Sequence, residues 1–356
     1  MISPGSPMKV VRVHDFETVR IEEAPVPAIG PEEALVAIHA CGICSGDVTP
    51  WYINQKAPIV LGHEPAGEIV AVGKQVTRFQ PGQRVFVHHH APCLQCPLCL
   101  RGAHSMCETW RKSHLDPGGM AEFVRIPSIN LAHDTLVLPD PLDYESGSFV
   151  EPVACAVKAF RRARFRKGSS VMVIGSGIMG QILVRLARHL GASLLLASDR
   201  IPFRLEKAQA SGADRTIHID QENPIEVVKE VTQGNMIDLV IVGPGSPEAI
   251  RTGIACAGRA STVLLFMGTP PGVQTPLEFF DLYFQEKDLI CSYSCGPEDT
   301  REALDLLSAG IFPIQEWITH RFPLEKAEKA YGIAAQGGDS LKVMIEIRPP
   351  QTKETT

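Results

Sequence analysis

The chain has 356 residues, 44% of them hydrophobic and 21% charged, which is an ordinary globular composition and long enough for about two domains. A formal net charge of −6 excludes a broad basic field for nucleic acid. No apolar run approaches the ~20 residues that a membrane span needs. The opening Met1–Pro7 lacks the charged and apolar regions of a secretion signal, so the expected compartment is the cytoplasm. In a reducing cytosol the ten cysteines argue for metal binding rather than disulfides.

The first 140 residues read as strands and loops. Lys9–Val13, Leu35–His39, Gly67–Val72 and Arg84–Val87 are β-rich runs separated by Gly and Pro, and the expected architecture is a mostly antiparallel, barrel-like domain. Near Glu145 the pattern changes. Ser146–Arg164 is expected to be helical, with Pro152 bending or starting it. Strands at Ser170–Ile174, Leu194–Ala197, Ile237–Val242 and Thr262–Phe266 then alternate with helices at Gly180–Leu190, from Pro224, and from Pro247. This is the rhythm of a doubly wound parallel sheet. Beyond it, Pro297–Ala309 and Pro323–Ala335 are expected to be helical and Leu341–Ile347 a strand, with a frayed polar tail at Thr352–Thr356. The expected division is a β domain of residues 1–150 and 295–356, interrupted by an α/β domain of residues 151–294.

The strand Val171–Ile174 runs into Gly175-Ser176-Gly177-Ile178-Met179-Gly180, a G-x-G-x-x-G turn opening a helix. Gly175 permits the tight turn, Gly177 admits a pyrophosphate, and Gly180 allows close packing of helix on strand. Free N–H groups at the helix start favour phosphate. The next strand ends in Asp199, 24 residues after Gly175, where a carboxylate can accept from ribose hydroxyls and repel a 2′-phosphate. NAD is therefore favoured over NADP, although Arg200 and Arg204 could meet a phosphate.

Cys93, Cys96, Cys99 and Cys107 are spaced C-x2-C-x2-C-x7-C. Four thiolates at short spacing can close a shell around a structural zinc, with an iron–sulfur cluster as the competing reading. In the same β-rich region, Cys41, Cys44, Asp47, His63 and Glu64, followed by Glu151-Pro152, offer the mixed donors of an open, catalytic zinc site. Trp51, Tyr52, Trp110 and Ser292–Ser294 are candidates for a substrate pocket, with ordinary packing as the alternative. His88-His89-His90 reads as a polar strand end that could also bind stray metal.

Taken together, Gly42-Ile43-Cys44-x-x-Asp47, Gly62-His63-Glu64, the four-cysteine lobe, Asp116–Glu122, Glu151-Pro152 and the glycine turn resemble the zinc-dependent medium-chain dehydrogenase/reductase family, in its branch near sorbitol, polyol and threonine dehydrogenases. The resemblance covers nearly the whole chain. It implies a GroES-like β-barrel catalytic domain beside the Rossmann sheet, two zinc ions per subunit, and pairing into a dimer or tetramer through the α/β domain. It further implies that Cys44, not Cys41, is the thiolate ligand, His63 the imidazole and Glu64 the adjacent carboxylate. Glu151 would be a fourth carboxylate, binding directly or through water, and Asp47 would orient the imidazole. Asp199 and Arg204 would take the ribose side, with Met179 beside the pyrophosphate.

The implied activity is hydride transfer between NAD and a secondary alcohol, polyol or sugar-like, with a threonine-type amino alcohol as the alternative. One departure stands out. The family places Ser or Thr two residues after the ligand cysteine; here that position is Gly46, and His five residues after it is replaced by Thr49. Ser45, Thr49, Glu64 or water would have to carry the proton. A zinc-stapled NAD-binding protein with little turnover, and a zinc-free reductase on the same fold, are the rival readings.

Overall fold

The computed structural model describes residues 3–348; the expected frayed tail at Thr352–Thr356 lies outside them. By contacts the described residues divide into two units. One runs to Ala154 and resumes at Cys295; the other is Cys155–Ser294. The chain leaves the first unit within the helix Val150–Arg162.

The first unit is built mainly from antiparallel strands. Among the described residues a seven-stranded sheet has the order Ile318–Pro323, Lys342–Glu346, Ala34–Ile43, Pro65–Val72, Arg84–Val87, Thr135–Val137, with Phe123–Ile126 also paired to Ala34–Ile43. Ile318–Pro323 and Lys342–Glu346 are its one parallel pair. A smaller sheet joins Thr18–Pro25, Pro7–Asp15 and Ile59–Val60. Ala34–Ile43 is buried along nearly its whole length, on both faces of the sheet, so its residues do not alternate in polarity. Thr18–Pro25 escapes a reading of apolar runs because it carries Arg20, Glu22 and Glu23 on a sheet edge.

The second unit carries a parallel six-stranded sheet in the order Arg215–His218, Leu194–Asp199, Ser170–Ile174, Ile237–Val242, Ala257–Leu265, Asp288–Cys291. This is the doubly wound order, with the glycine turn after the first strand in sequence, where the strand order reverses. Strands Ser170–Ile174 and Ile237–Val242 stand where the sequence places them. Ala257–Leu265 begins five residues earlier than expected, because Gly258, Arg259 and Ala260 break the apolar pattern that Thr262 resumes. The long helix expected over 146–164 is two, Tyr144–Ser148 and Val150–Arg162. The helix expected over 323–335 begins only at Ala327, because Ile318–Pro323 is a strand.

Candidate active site

The four-cysteine lobe is assembled locally. Cys96 caps a short helix with Pro97 at its first position, and Cys107 caps the helix Glu108–Lys112. The sulfurs of Cys93 and Cys99 are 3.9 Å apart, Cys96 and Cys99 3.5 Å, and Cys93 and Cys107 3.7 Å. Four sulfurs around one zinc at ~2.3 Å would stand about 3.8 Å apart along each tetrahedral edge. Thiolates bound to separate irons of a cluster stand farther apart, so the spacing fits a single ion. Burial pushes the Cys99 thiol up to about 12. At Cys107 burial also acts upward, but N–H donors from Cys93 and Trp110 outweigh it and bring the thiol down to about 6. Trp110 is buried against these cysteines, and its ring lies 4.1 Å from that of His90. It is therefore a packing residue of the lobe rather than a pocket residue.

The second donor set draws on distant segments. Cys44 ends the buried strand Ala34–Ile43 and caps the turn Ser45–Val48. The Gly46 N–H donates to Cys44 Sγ at 3.4 Å, and the Cys44 N–H donates to Asp47 Oδ2 at 3.2 Å. Asp47 is buried, and its Oδ1 stands 3.4 Å from His63 Nδ1. That arrangement fixes the ring and leaves Nε2 for a metal, the usual support of a metal-bound imidazole. Burial would raise the Asp47 carboxyl, but His63 and the Cys44 N–H hold it below the usual range. Donor atoms of Cys44, His63 and Glu64 all lie within 4.8 Å of one another. Sulfur, nitrogen and oxygen donors converging in this way fit zinc. Cys41 lies inside the strand, fully buried, and burial pushes its thiol well above the ordinary range.

Glu64 has a partner that the sequence does not announce. Its Oε2 accepts from the ammonium of Lys342, 278 residues away, and both side chains are 1% exposed. Glu64 outweighs burial and holds Lys342 above its ordinary range. A Cβ at Gly42 would overlap both Lys342 and the Glu64 carboxylate, so the glycine before Ile43-Cys44 is required by this ion pair. Ser148 ties the segments together: it accepts the Gly42 N–H at 2.9 Å and donates to the Glu64 carbonyl at 2.7 Å. The Tyr331 hydroxyl, buried and without a hydrogen-bond partner, belongs to the same neighbourhood; burial first, then Asp47, Cys41, Cys44 and Glu64, push it upward.

Glu151 is 6% exposed, and its charge is felt at Glu64 and Lys342. Its carboxylate also lies within 4.8 Å of donor atoms of His88 and Cys295. His88 is not a polar strand end. The strand stops at Val87, and His88 is 0% exposed. Thr49 is turned away from the donor set, its hydroxyl donating to the Ser45 carbonyl at 2.8 Å. Packing does not force the glycine at position 46: a Cβ there would sit 3.7 Å from both Cys44 Sγ and Tyr52, an ordinary contact. Tyr52 accepts from Lys56 at 2.6 Å and meets Trp51 edge-on at 5.6 Å.

In the second unit, Gly175 has φ +89°, and a Cβ at Gly180 would overlap the Gly175 carbonyl. Gly177 caps the helix Ile178–His189, and a Cβ there would meet only Arg204 Nη1, at 3.8 Å. The space that a side chain would fill is thus left open, as a pyrophosphate requires. Asp199 accepts from the Ser176 N–H at 2.7 Å and from the N–H groups of Arg200 and Ile201 at 2.8 and 3.0 Å. It therefore shapes the glycine turn as well as ending its strand. Met179 is half-buried on the first turn of the helix, and Ser292 is buried with its N–H on the Leu265 carbonyl.

Two family profiles match the chain: "Alcohol dehydrogenase GroES-like domain" over residues 30–139 and "Zinc-binding dehydrogenase" over residues 179–309. Sorbitol dehydrogenase of Bombyx mori is 32% identical over 94% of this chain and 97% of its own length. The chain belongs to the zinc-dependent medium-chain alcohol dehydrogenase family. L-threonine 3-dehydrogenase of Symbiobacterium thermophilum is likewise 32% identical, over 91% of this chain and 93% of its own. A zinc-binding dehydrogenase of Sinorhizobium meliloti 1021, solved bound to NADP, superposes with a TM-score of 0.85 at 28% identity, over 96% of this chain and 99% of that one. The protein is thus an oxidoreductase of the alcohol and polyol dehydrogenase kind, acting on small-molecule alcohols. Among the described residues no helix is long and apolar enough to cross a membrane.

Proposed function

We propose that this protein oxidises a secondary alcohol of the polyol class with NAD, using one zinc held by Cys44, His63 and Glu64, with Glu151 as a fourth carboxylate binding directly or through water, and a second held by Cys93, Cys96, Cys99 and Cys107. The observation that carries the reading is the convergence of Cys44, His63 and Glu64 donor atoms within 4.8 Å, with Asp47 behind the imidazole. When bound, zinc supplies Lewis acidity toward the substrate oxygen and NAD accepts the hydride.

The residues of the chain supply the rest. Gly46 points its N–H at the Cys44 sulfur, which helps hold the sulfur in place. Asp47 selects the His63 tautomer that leaves Nε2 for the metal. Lys342 balances the Glu64 carboxylate in a dry setting, so that one oxygen is held while the other stays available. The substrate proton leaves through Ser45 or water, because the Thr49 hydroxyl is committed to the Ser45 carbonyl.

The open face of Gly177 supports pyrophosphate binding at the start of the helix Ile178–His189, with Met179 and Gly180 beside it. The Asp199 carboxylate favours NAD over NADP, while Arg204 near Gly177 and the NADP-bound relative keep NADP in the test. Residues 1–150 and 295–356 would form the catalytic domain and 151–294 the dinucleotide domain of a cytoplasmic homo-oligomer. The threonine dehydrogenase relative supports an amino alcohol as the second reading.

The test is a steady-state screen of polyols, sugars and amino alcohols with NAD and NADP on zinc-replete protein. Reduction of NAD by at least one polyol, lost in Cys44→Ala while NAD still binds, is the expected result. Turnover by metal-stripped Cys44→Ala protein would overturn the zinc assignment.

A further inference from the structure

We infer that Gln181 is a positioning residue for the dinucleotide: it fixes the glycine turn and the segment bearing Arg204 at the separation that a cofactor phosphate needs. The inference rests on the dinucleotide reading above and adds to it a residue outside the G-x-G-x-x-G motif. Gln181 stands one residue past Gly180, in the helix Ile178–His189. That helix buries Ile178, Ile182, Leu183 and Val184, and Gln181, at 0% exposed, is buried with them.

A polar amide in such a place costs stability unless its donors and its acceptor are all used. Here they are. Gln181 Nε2 donates to the Ser176 carbonyl at 2.7 Å and to the Arg204 carbonyl at 3.0 Å, and Oε1 accepts from the Ser211 hydroxyl at 2.9 Å. The two carbonyls settle which way the amide faces, because only its NH2 end can donate. Ser211, which ends the helix Pro202–Ala210, then holds the oxygen end and stops the amide from rotating.

The two carbonyls belong to the two segments that bound the open face of Gly177. Ser176 is the middle residue of Gly175-Ser176-Gly177, and Arg204 is the residue whose Nη1 stands 3.8 Å from where a Gly177 Cβ would be. One side chain therefore sets the gap between the turn and the cation that faces it.

Ser176 is gripped from both sides. Asp199 takes its N–H at 2.7 Å, Gln181 takes its carbonyl, and its own hydroxyl donates to the Ser198 carbonyl at 3.3 Å. Ser176 is 0% exposed, so neither of its peptide planes can swing without breaking a hydrogen bond that water cannot replace. The free N–H groups at the helix start thus keep their aim before a phosphate arrives, which lowers the ordering cost of binding. A leucine at 181 would suit a buried helix face and would hold neither carbonyl.

Binding tests this without turnover. Calorimetric titration of the zinc-replete protein with ADP-ribose should show Gln181→Leu weakened about tenfold against wild type, the factor that one net hydrogen bond is worth. Adenosine, which brings base and ribose but no phosphate, should bind both proteins equally when measured by saturation-transfer NMR. In turnover, KM for the dinucleotide should rise by the same factor, while kcat and the KM for the alcohol hold. Ser211→Ala, which frees the amide to rotate, should weaken ADP-ribose in the same direction by a smaller factor. A general loosening of the unit would weaken both ligands together. That result, or an unchanged ADP-ribose affinity in folded Gln181→Leu, overturns the inference. Should Gln181→Leu fail to fold, the same two-ligand comparison on Ser211→Ala decides. Wild-type protein that binds no ADP-ribose would remove the dinucleotide reading and this inference with it; wild type that binds, beside a variant that binds equally well, removes the inference alone.

Discussion

The four-cysteine lobe and the Cys44–His63–Glu64 set are two clusters of metal-donor side chains of opposite construction within one unit. In the lobe all four donors fall within 15 residues, are chemically alike, and pack on one tryptophan from the same segment. In the other set the donors sit on a strand end and a loop, and their balance depends on Asp47, on Lys342 from the far end of the chain, and on Ser148 from a third segment. A closed shell of like donors needs only local spacing. An open shell must hold a ligand position vacant against collapse, so it recruits charge and hydrogen bonds from wherever the fold can supply them.

If that contrast is right, the two sites should fail in different ways. Cys44→Ser should lower kcat/KM by about a thousandfold or more, several kcal/mol of transition-state stabilisation, with little change in melting temperature. Cys96→Ser should lower the melting temperature and sensitise the protein to chelators, with activity lost only as the protein unfolds. Equal effects of both substitutions on melting would break the comparison.

Lys342→Met sharpens it. Leaving the Glu64 carboxylate buried and uncompensated should cost about 3–5 kcal/mol in denaturant unfolding, more than any change of an exposed charge. A cost under about 1 kcal/mol would mean that Glu64 is balanced by something else. Asp47→Asn keeps the shape but weakens the hold on His63. Zinc affinity at this site, measured by competition with a chelator, should fall about 10- to 100-fold while the four-cysteine zinc is unaffected.

The smallest effect belongs to the lobe's own histidine. Burial holds His90 neutral, its pKa down at about 3 against 6.5 when exposed. Its folded value is depressed, so the unfolded chain binds the proton more readily. Stability from this residue is therefore complete above pH 6.5 and is lost as pH falls toward 3. Between pH 6.5 and 5 the loss should be about 2 kcal/mol. His90→Gln should flatten the acid limb of the unfolding profile by that amount; an unchanged slope would assign the acid sensitivity to other groups.

Much of this molecule was legible along the chain. The glycine turn, its strand and helix, and Asp199 are neighbours in sequence, and their geometry follows from the backbone freedom of Gly175 and the close packing at Gly180. Gly46 was legible as a departure, but the structure was needed to show that its N–H serves the Cys44 sulfur and that no packing forces it. Trp110 allowed either a pocket or a packing reading, and the structure packs it in the lobe, because its neighbours are set by the fold around Cys107 rather than by its own position in the sequence.

By itself, then, the sequence determined what depends on short-range spacing: the sulfur shell, the phosphate-binding turn, the alternation of strand and helix, and through them the family. The tertiary structure decided what depends on charge burial. It paired Lys342 with Glu64, placed Asp134 behind His88, and brought Cys295 to Glu151. A charge removed from water must find its complement within a few ångströms, and that complement can come from any point on the chain that the fold returns to the same place.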